Sequence, residues 1–585
     1  MNNVEDNKAK LSSSNVLQMY CKVLPAQFFL YALNCLRLTI NGTIVGNAMD
    51  SLSLAAIALY APYACIMAAV YAIISYGCTI LCGHKLGRGD IKGEHEVFAT
   101  AVWISGAAAF AVGVLMLVFA KPLALFLGSG EEVLVQTMAY IRGQAIGVIP
   151  SLMIPVLASY IQLNNRPKQI FIYAIIQVIT LLIFVPTAVY VFGGGLFEAS
   201  LASSLSAYVP LIYLAVYIKK EKLATDIVGN FNISHVGRML FLGIPAAAIQ
   251  LFTGVRDVII NNQVMFTGGT DAIAAMAILS STWLIIDAIV YGSGNSVRIL
   301  SSVFYGERDR SAQIKLFGIS SGIGMVLTVI TGIIYVLLSG RLSALFGADA
   351  NIASLTFQLI LIYCIGRTFT LMVVIFISMY QSCNHTLTAF LCNLAAFFIF
   401  PICACFLLYN TFGVNGIWCA NYIIGTGLMF LLIPVVIGKF SCKLSRVLLL
   451  DEEDGAHLHI TLNNVDDAHV FSERVQRFCK EHNAGEKRSY MCGLCLEEMA
   501  VIIFEQGYGK KSGTVDIAVH VKDDSVTMRF RDDAPEFNVT DRFAGCKEIK
   551  KEDPAANIGI RIVMKSAESA SYNSVFGTNT LLLKF

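Results

Sequence analysis

At 585 residues, with 56% hydrophobic and only 14% charged side chains, the chain lies outside the range of soluble domains and reads as a membrane protein. Its net charge of +2 carries no sign of nucleic acid, because the basic residues are spread through short loops with no contiguous patch, and no nucleic-acid partner is expected. The 16 cysteines mostly stand alone in apolar runs, as in Leu81-Cys82 and Ile402-Cys403, so they are read as small core residues, with no disulfide or metal site expected.

The polar start, residues 1–15, has no apolar core or cleavage site, so no signal peptide is expected. Apolar stretches of roughly 20 residues, enough to cross ~30 Å of hydrocarbon as helices, then follow one another to about Phe440. They predict twelve transmembrane helices, near 24–46, 54–82, 97–119, 136–163, 168–192, 196–218, 241–265, 272–303, 314–338, 354–381, 387–409 and 415–438. Basic residues alternate between the loops. Lys85, Arg88, Lys92, Arg166, Lys168, Lys219, Lys220, Lys222, Arg238, Arg308, Arg310, Lys315, Lys439, Lys443 and Arg446 fall on one side, against little beyond Lys121 and Arg341 on the other. Basic loops stay in the cytoplasm, so both termini are expected there, in a multi-pass protein of the plasma (inner) membrane.

The membrane region repeats itself. "LPAQFF" at 24–29 aligns with "IPAAAI" at 244–249, setting Pro25 on Pro245. "LAAIAL" matches "IAAMAI", "LGRGD" matches "YGERD", "SYIQLNN" matches "MYQSCNH" and "VFGGGLF" matches "TFGVNGI", always at a shift of 219 or 220. Two six-helix halves in the same orientation, related by an axis along the membrane normal, enclose a central cleft that alternates between sides. The expected organisation is an N-terminal segment 1–23, repeat 1 at 24–218, a linker at 219–240, repeat 2 at 241–438, a second linker at 439–456, and a soluble cytoplasmic α+β domain at 457–585. That last region alternates in polarity in "VDIAVHVKDDSVTMRFRDD" and is amphipathic in "HVFSERVQRFCKEH".

Several charged or polar residues interrupt the apolar spans: Arg37, Asn41, Glu198, Arg256, Asp257, Asn261, Asp287, Arg298 and Arg367. An unpaired charge costs at least ~2.5 to 3.5 kcal/mol in hydrocarbon, so each should face a cavity or a partner. Asp287 is the least dispensable by this reasoning. For the arginines, structural pairing or snorkelling competes with a place in the substrate or ion pathway. Asn41, Asn261 and Asn262 read equally well as helix–helix hydrogen-bonding groups.

In order and spacing, "INGTIVGNAMDSLSLAAIAL", the loops "GRGD" and "GERD", and "FGVNGIW" make residues 15–440 resemble the multidrug and toxic compound extrusion (MATE) transporters. The resemblance implies a V-shaped twelve-helix fold that exports organic, often cationic, small molecules in exchange for H+ or Na+. Members commonly carry an aspartate in the first span, where this chain has Asn41, and another before a proline in the fifth, where it has Val185 before Pro186. An amide coordinates or hydrogen-bonds but does not titrate, so the usual coupling site lacks its titrating group here.

Residues 457–585 resemble the GHKL nucleotide-binding domain in the form found in anti-sigma-factor serine kinases. The resemblance sets a catalytic carboxylate at Glu498 in "EEMAVIIFEQG", an adenine-reading aspartate at Asp532 in "FRDDAPEF", and further nucleotide-binding positions at Gly559 and Thr578. Ile502 stands where the magnesium-holding asparagine belongs, Ala534 replaces a glycine of the adenine box, and "NIGIRIV" keeps only Gly559 of the lid glycines. Magnesium needs oxygen ligands, so a regulatory domain without efficient turnover is expected in place of an enzyme, with ATP as its candidate ligand. No P-loop is present. The expected function is secondary-active efflux of organic solutes, with a cytoplasmic regulatory protein as a partner of the tail. The alternatives are a membrane-anchored signalling protein with a kinase-like output domain and a lipid-precursor flippase, the latter favoured if Arg37, Arg256, Arg298 and Arg367 face the cleft.

Overall fold

A computed structural model describes residues 15–33, 44, 49, 51–127, 129–224, 229–438, 443–450, 455–509, 513–522, 525–535, 538, 558–575 and 577–585. The helices of the membrane region are α1 (Asn15–Leu33), α2 (Ser51–Gly87), α3 (Ile91–Val118), α4 (Ala120–Phe126), α5 (Glu131–Ile146), α6 (Val148–Leu163), α7 (Pro167–Pro186), α8 (Leu196–Ser206) and α9 (Tyr208–Lys220) in the first half. The second half holds α10 (Ser234–Thr282), α11 (Leu284–Gly306), α12 (Arg310–Leu345), α13 (Ala350–Ser382), α14 (Thr386–Leu394), α15 (Phe400–Cys419) and α16 (Gly425–Leu432). Among the described residues, nine helical stretches are long and apolar enough to cross a membrane, or ten with α5 and α6 taken as one span bent by 40°. Two of the nine are pairs of helices run together across a single residue, Gly269 (φ 64°) and Gly413 (φ 56°), which lie between the expected spans 7 and 8 and spans 11 and 12. The expected gaps of several residues shrink to one because glycine alone takes this backbone turn without strain.

The internal repeat is built into the backbone. Positive φ recurs at Gly89 and Arg308, at Asn165 and Asn384, and at Gly193 and Gly413, each pair separated by 219 or 220 residues. In "GRGD" and "GERD" the acid caps the next helix: Asp90 Oδ1 accepts from Gly93 N at 2.9 Å, and Asp309 Oδ1 from Ala312 N at 2.9 Å. Tyr160 and Tyr380, also repeat-related, each donate from their hydroxyl to a carbonyl just beyond the last helix of their own half, Leu223 at 2.9 Å and Val447 at 2.7 Å.

The halves meet where α2 crosses α11. A Cβ on Gly87 would lie 2.2 Å from Val303 O and 2.9 Å from Gly306 Cα, and one on Gly306 would lie 2.5 Å from His84 O. Gly87 and Gly306 are themselves repeat-related, so the pseudo-two-fold axis passes between them and the tail-side ends of the halves are closed on each other. Large apolar side chains such as Phe110, Phe266 and Leu337 remain exposed on the outer surface, which is what a lipid-facing belt requires.

Within the segment expected as a linker, α17 (Leu444–Val447) and its flank are held by the membrane region: Tyr380 donates to Val447 O, and His385 Nε2 lies 2.8 Å from Leu449 O. Beyond it stand β1 (Ala456–Leu462), α18 (Asp466–Glu481), α19 (Glu486–Ile502), β2 (Val515–Lys522), β3 (Ser525–Asp532), α20 (Ile558–Ser566), β4 (Ser569–Val575) and β5 (Thr578–Lys584). The strands form one antiparallel sheet in the order β1-β2-β3-β5-β4. Leu496, Met499 and Ile502 join Ile517, Val519, Met528 and Phe530 in a core separate from that of the membrane region. On β3, residues 526, 528 and 530 belong to this core, and the alternation puts Arg529 and Arg531 on the opposite face. Both arginines are nevertheless buried, because that face lies against the membrane region.

Candidate substrate cavity and the tail interface

A cavity of about 540 Å³ lies mainly in the second half, among α10, α11, α13 and the π-helical turn Ala420–Ile424, with Tyr31 and Tyr76 reaching in from the first half. The sequence predicts a central cleft between the two bundles; among the described residues most of this cavity's lining comes from the second half. Arg256, Asp257, Asn261, Asp287, Arg298 and Arg367 all line it. Arg37 and Asn41 lie outside the described residues. Glu198 is exposed near Gly194 and Gly195, on a surface groove away from the cavity. Val185, at the second expected coupling position, is fully buried.

Each carboxylate has its own cation. Arg256 donates from Nε and Nη2 to Asp257 Oδ1 at 3.0 and 2.7 Å. Asp287 meets Arg367 at both oxygens, with Nε 2.8 Å from Oδ1 and Nη2 donating to Oδ2 at 3.0 Å, and Tyr363 also donates to Oδ1 at 2.5 Å. The Arg367 guanidinium lies 4.4 Å from the centroid of the Tyr363 ring. Two of the four arginines that bear on a flippase are therefore neutralised within the cavity.

The neutral lining was not legible as such. Within the lining, Tyr291 stands four residues after Asp287 and Asn295 three before Arg298; Tyr363, which is a partner of Asp287 and not part of the lining, stands four before Arg367. That spacing puts them on the same helical face, and it is the signal that would have found them.

In the tail, Asp532 is buried and accepts from Asn579 Nδ2 at 2.8 Å and from Ala534 N at 3.0 Å; burial pushes its carboxyl up to about 6 against these bonds. Glu498 is half-buried on α19, its pKa raised by burial and by the neighbouring Glu497. Ile502, at the magnesium position of the resemblance, is packed in the apolar core. Gly559 falls in α20, and Thr578 is buried at the start of β5. Asn557, the other position of the lid segment, lies outside the described residues.

The tail holds the "GERD" loop through four buried charges. Arg529 Nη2 lies 2.8 Å from Asp309 Oδ2 and its Nη1 3.7 Å from Glu307 Oε2; Arg531 Nη1 donates to Asp309 Oδ2 at 3.1 Å and its Nη2 to Glu307. Burial pushes the Glu307 carboxyl up in spite of the two arginines, whereas they outweigh burial at Asp309 and hold it well below the usual range. The same sheet touches the "GRGD" loop of the other half: Asn573 Nδ2 donates to Leu86 O at 2.8 Å, and Ser571 packs directly on Gly89.

A family model described as MatE matches residues 26–187 and 235–407. No curated protein matches the chain. Among solved structures, a mutant of the Vibrio cholerae MATE transporter VcmN is similar with TM-score 0.68 at 15% identity, over 72% of this chain and 96% of that one. An outward-facing multidrug resistance MATE family transporter of the MOP superfamily gives 0.67 at 16% identity, over 72% and 95%. A MOP superfamily transporter from Pyrococcus furiosus, described as having a binding pocket of reverse polarity, gives 0.66 at 15%, over 71% and 95%. The family match ends at residue 407, before the tail.

Proposed function

Since the chain belongs to the MatE family and has the fold of a multi-pass membrane transporter, we propose that it is a secondary-active exporter of organic solutes, driven by H+ or Na+ and controlled by its tail. The twelve-span organisation and the cytoplasmic placing of both termini belong to this proposal. The observation that carries it is the cavity beside the junction of the halves, in which charged and aromatic side chains converge inside an apolar helical body. Asp257 and Asp287 are the carboxylates available for ion coupling there, in place of the aspartates that positions 41 and 185 lack.

The tail, read as a GHKL-like domain, serves as a control element and not as a motor. Ile502 in its core offers no ligand to magnesium, and Asp532 is already satisfied by Asn579 and Ala534. Its grip on the repeat-related loops of both halves supports a part in gating, because opening on the tail side requires those loops to separate. In inside-out vesicles an imposed proton or sodium gradient is expected to drive solute uptake without ATP. Uptake that needs ATP and ignores both gradients would overturn the proposal.

A further inference from the structure

The charges of the cavity do not balance. Five charged side chains line it among the described residues: Arg256, Asp257, Asp287, Arg298 and Arg367. The two pairs described above use both carboxylates and two of the three guanidinium groups. Among the described residues Arg298 is left with neutral partners only. Its Nε donates to Gln381 Oε1 at 3.1 Å, its Nη groups to Asn295 Oδ1 and to Ser378 Oγ at 3.5 Å, and its guanidinium lies 4.3 Å from the centroid of the Tyr76 ring.

Arg298 is itself buried, at 8% exposure. A guanidinium does not deprotonate, so the charge is permanent. Amide, hydroxyl and ring partners orient it without cancelling it, and at this burial its field is screened less than in bulk water. An isolated buried cation costs several kcal/mol, a cost that an incoming anion offsets. The surroundings describe the rest of the ligand: Tyr31 and Tyr291 stack with centroids 5.2 Å apart, and Ile249, Ile273 and Met276 add apolar wall.

We propose that Arg298 is the anion-binding group of this cavity and that the substrate is an organic anion, a carboxylate, sulfonate or phosphate on an apolar or aromatic body. The proposal rests on the reading of the cavity as the substrate site. It predicts a charge preference opposite to that of a cation exporter.

The test uses the full chain in proteoliposomes and two radiolabelled probes with one ring system, 2-naphthalenesulfonate and trimethyl(2-naphthyl)ammonium, measured for flux and, by scintillation proximity, for binding. The sulfonate is expected to bind and move in preference to the ammonium. Arg298→Gln is expected to lower sulfonate binding and flux by ~10-fold or more while ammonium is unaffected or gains, the loss of one charge-assisted contact. Arg298→Lys, which keeps the charge and guards against a variant that does not fold, is expected to retain part of the sulfonate signal. Competition by a short-chain phosphatidate would assign the anion to a lipid headgroup, and its failure to a free solute; either outcome supports the anion site.

Preference for the ammonium in the parent protein, or an equal loss of both probes in Arg298→Gln with Arg298→Lys at parental levels for both, would overturn the anion site and leave the transport reading standing. Sulfonate binding that is lost in Arg298→Gln, without flux of either probe, would keep the anion site and overturn transport. Neither binding nor flux of either probe would overturn both.

Discussion

Asp287 is bound by Arg367 and Tyr363 together, and all three side chains are buried. Removing one member of such a group leaves the other charge without a counter-ion, whereas removing both lets the site relax. Asp287→Asn is therefore expected to destabilise the protein by ~3–5 kcal/mol, and Asp287→Asn combined with Arg367→Met by clearly less, measured by thermal unfolding in detergent. At Asp532 the sign of the pH effect is the reverse of that for a salt-bridged acid. Its folded pKa of about 6 lies above the ordinary 3.8, so the folded state binds more protons between these values and stability falls as pH rises through them. Asp532→Asn keeps the Oδ1 acceptor but does not ionise. Its advantage over the parent chain, read as amide-exchange protection of β3 in the full-length protein, is expected to grow from pH 4 to pH 6 and then level off. Residue by residue, the formal charges inside apolar runs were legible because they break composition, and all of those described except Glu198 line the cavity. The neutral partners Tyr363, Asn295 and Gln381 were not, since tyrosine, asparagine and glutamine are unremarkable in a span until a charge is known to face them.

The spans could be read from apolar length, but their joints could not. Gly269 and Gly413 break long helices by a local backbone angle, and hydropathy carries no information about φ. The loops "GRGD" and "GERD" stood out as a repeated pattern. The helix caps at Asp90 and Asp309 and the positive φ at Gly89 and Arg308 give the pattern its physical cause. Asp309 has a second duty as the anion that Arg529 and Arg531 share, and nothing near it in sequence announces the distant strand β3. Asp309→Asn retains the cap acceptor and removes the charge. It is expected to loosen the tail from the loop without melting α12, seen as a longer and broader distance between spin labels on residues 308 and 568.

The tail sheet lies across the pseudo-two-fold axis, over the contact between Gly87 and Gly306, with one loop of each half in its grasp. In alternating access the tail-side ends must part, and a domain that bonds both loops raises the cost of that step. Deletion of residues 451–585 is expected to leave gradient-driven transport intact and to raise the population open on the tail side, measured as the distance between spin labels on residues 88 and 308. Loss of all transport in the deleted but folded protein would contradict a control role. The sequence by itself determined the membrane class, the duplicated architecture and the charged residues that line the cavity, because apolar length, near-constant spacing and charges in hydrocarbon are properties of short stretches. Which charge neutralises which, where the halves close and what the tail holds were decided only by the tertiary structure. Each is a contact between side chains far apart in the chain, and pairing energy depends on distance and burial that spacing does not encode.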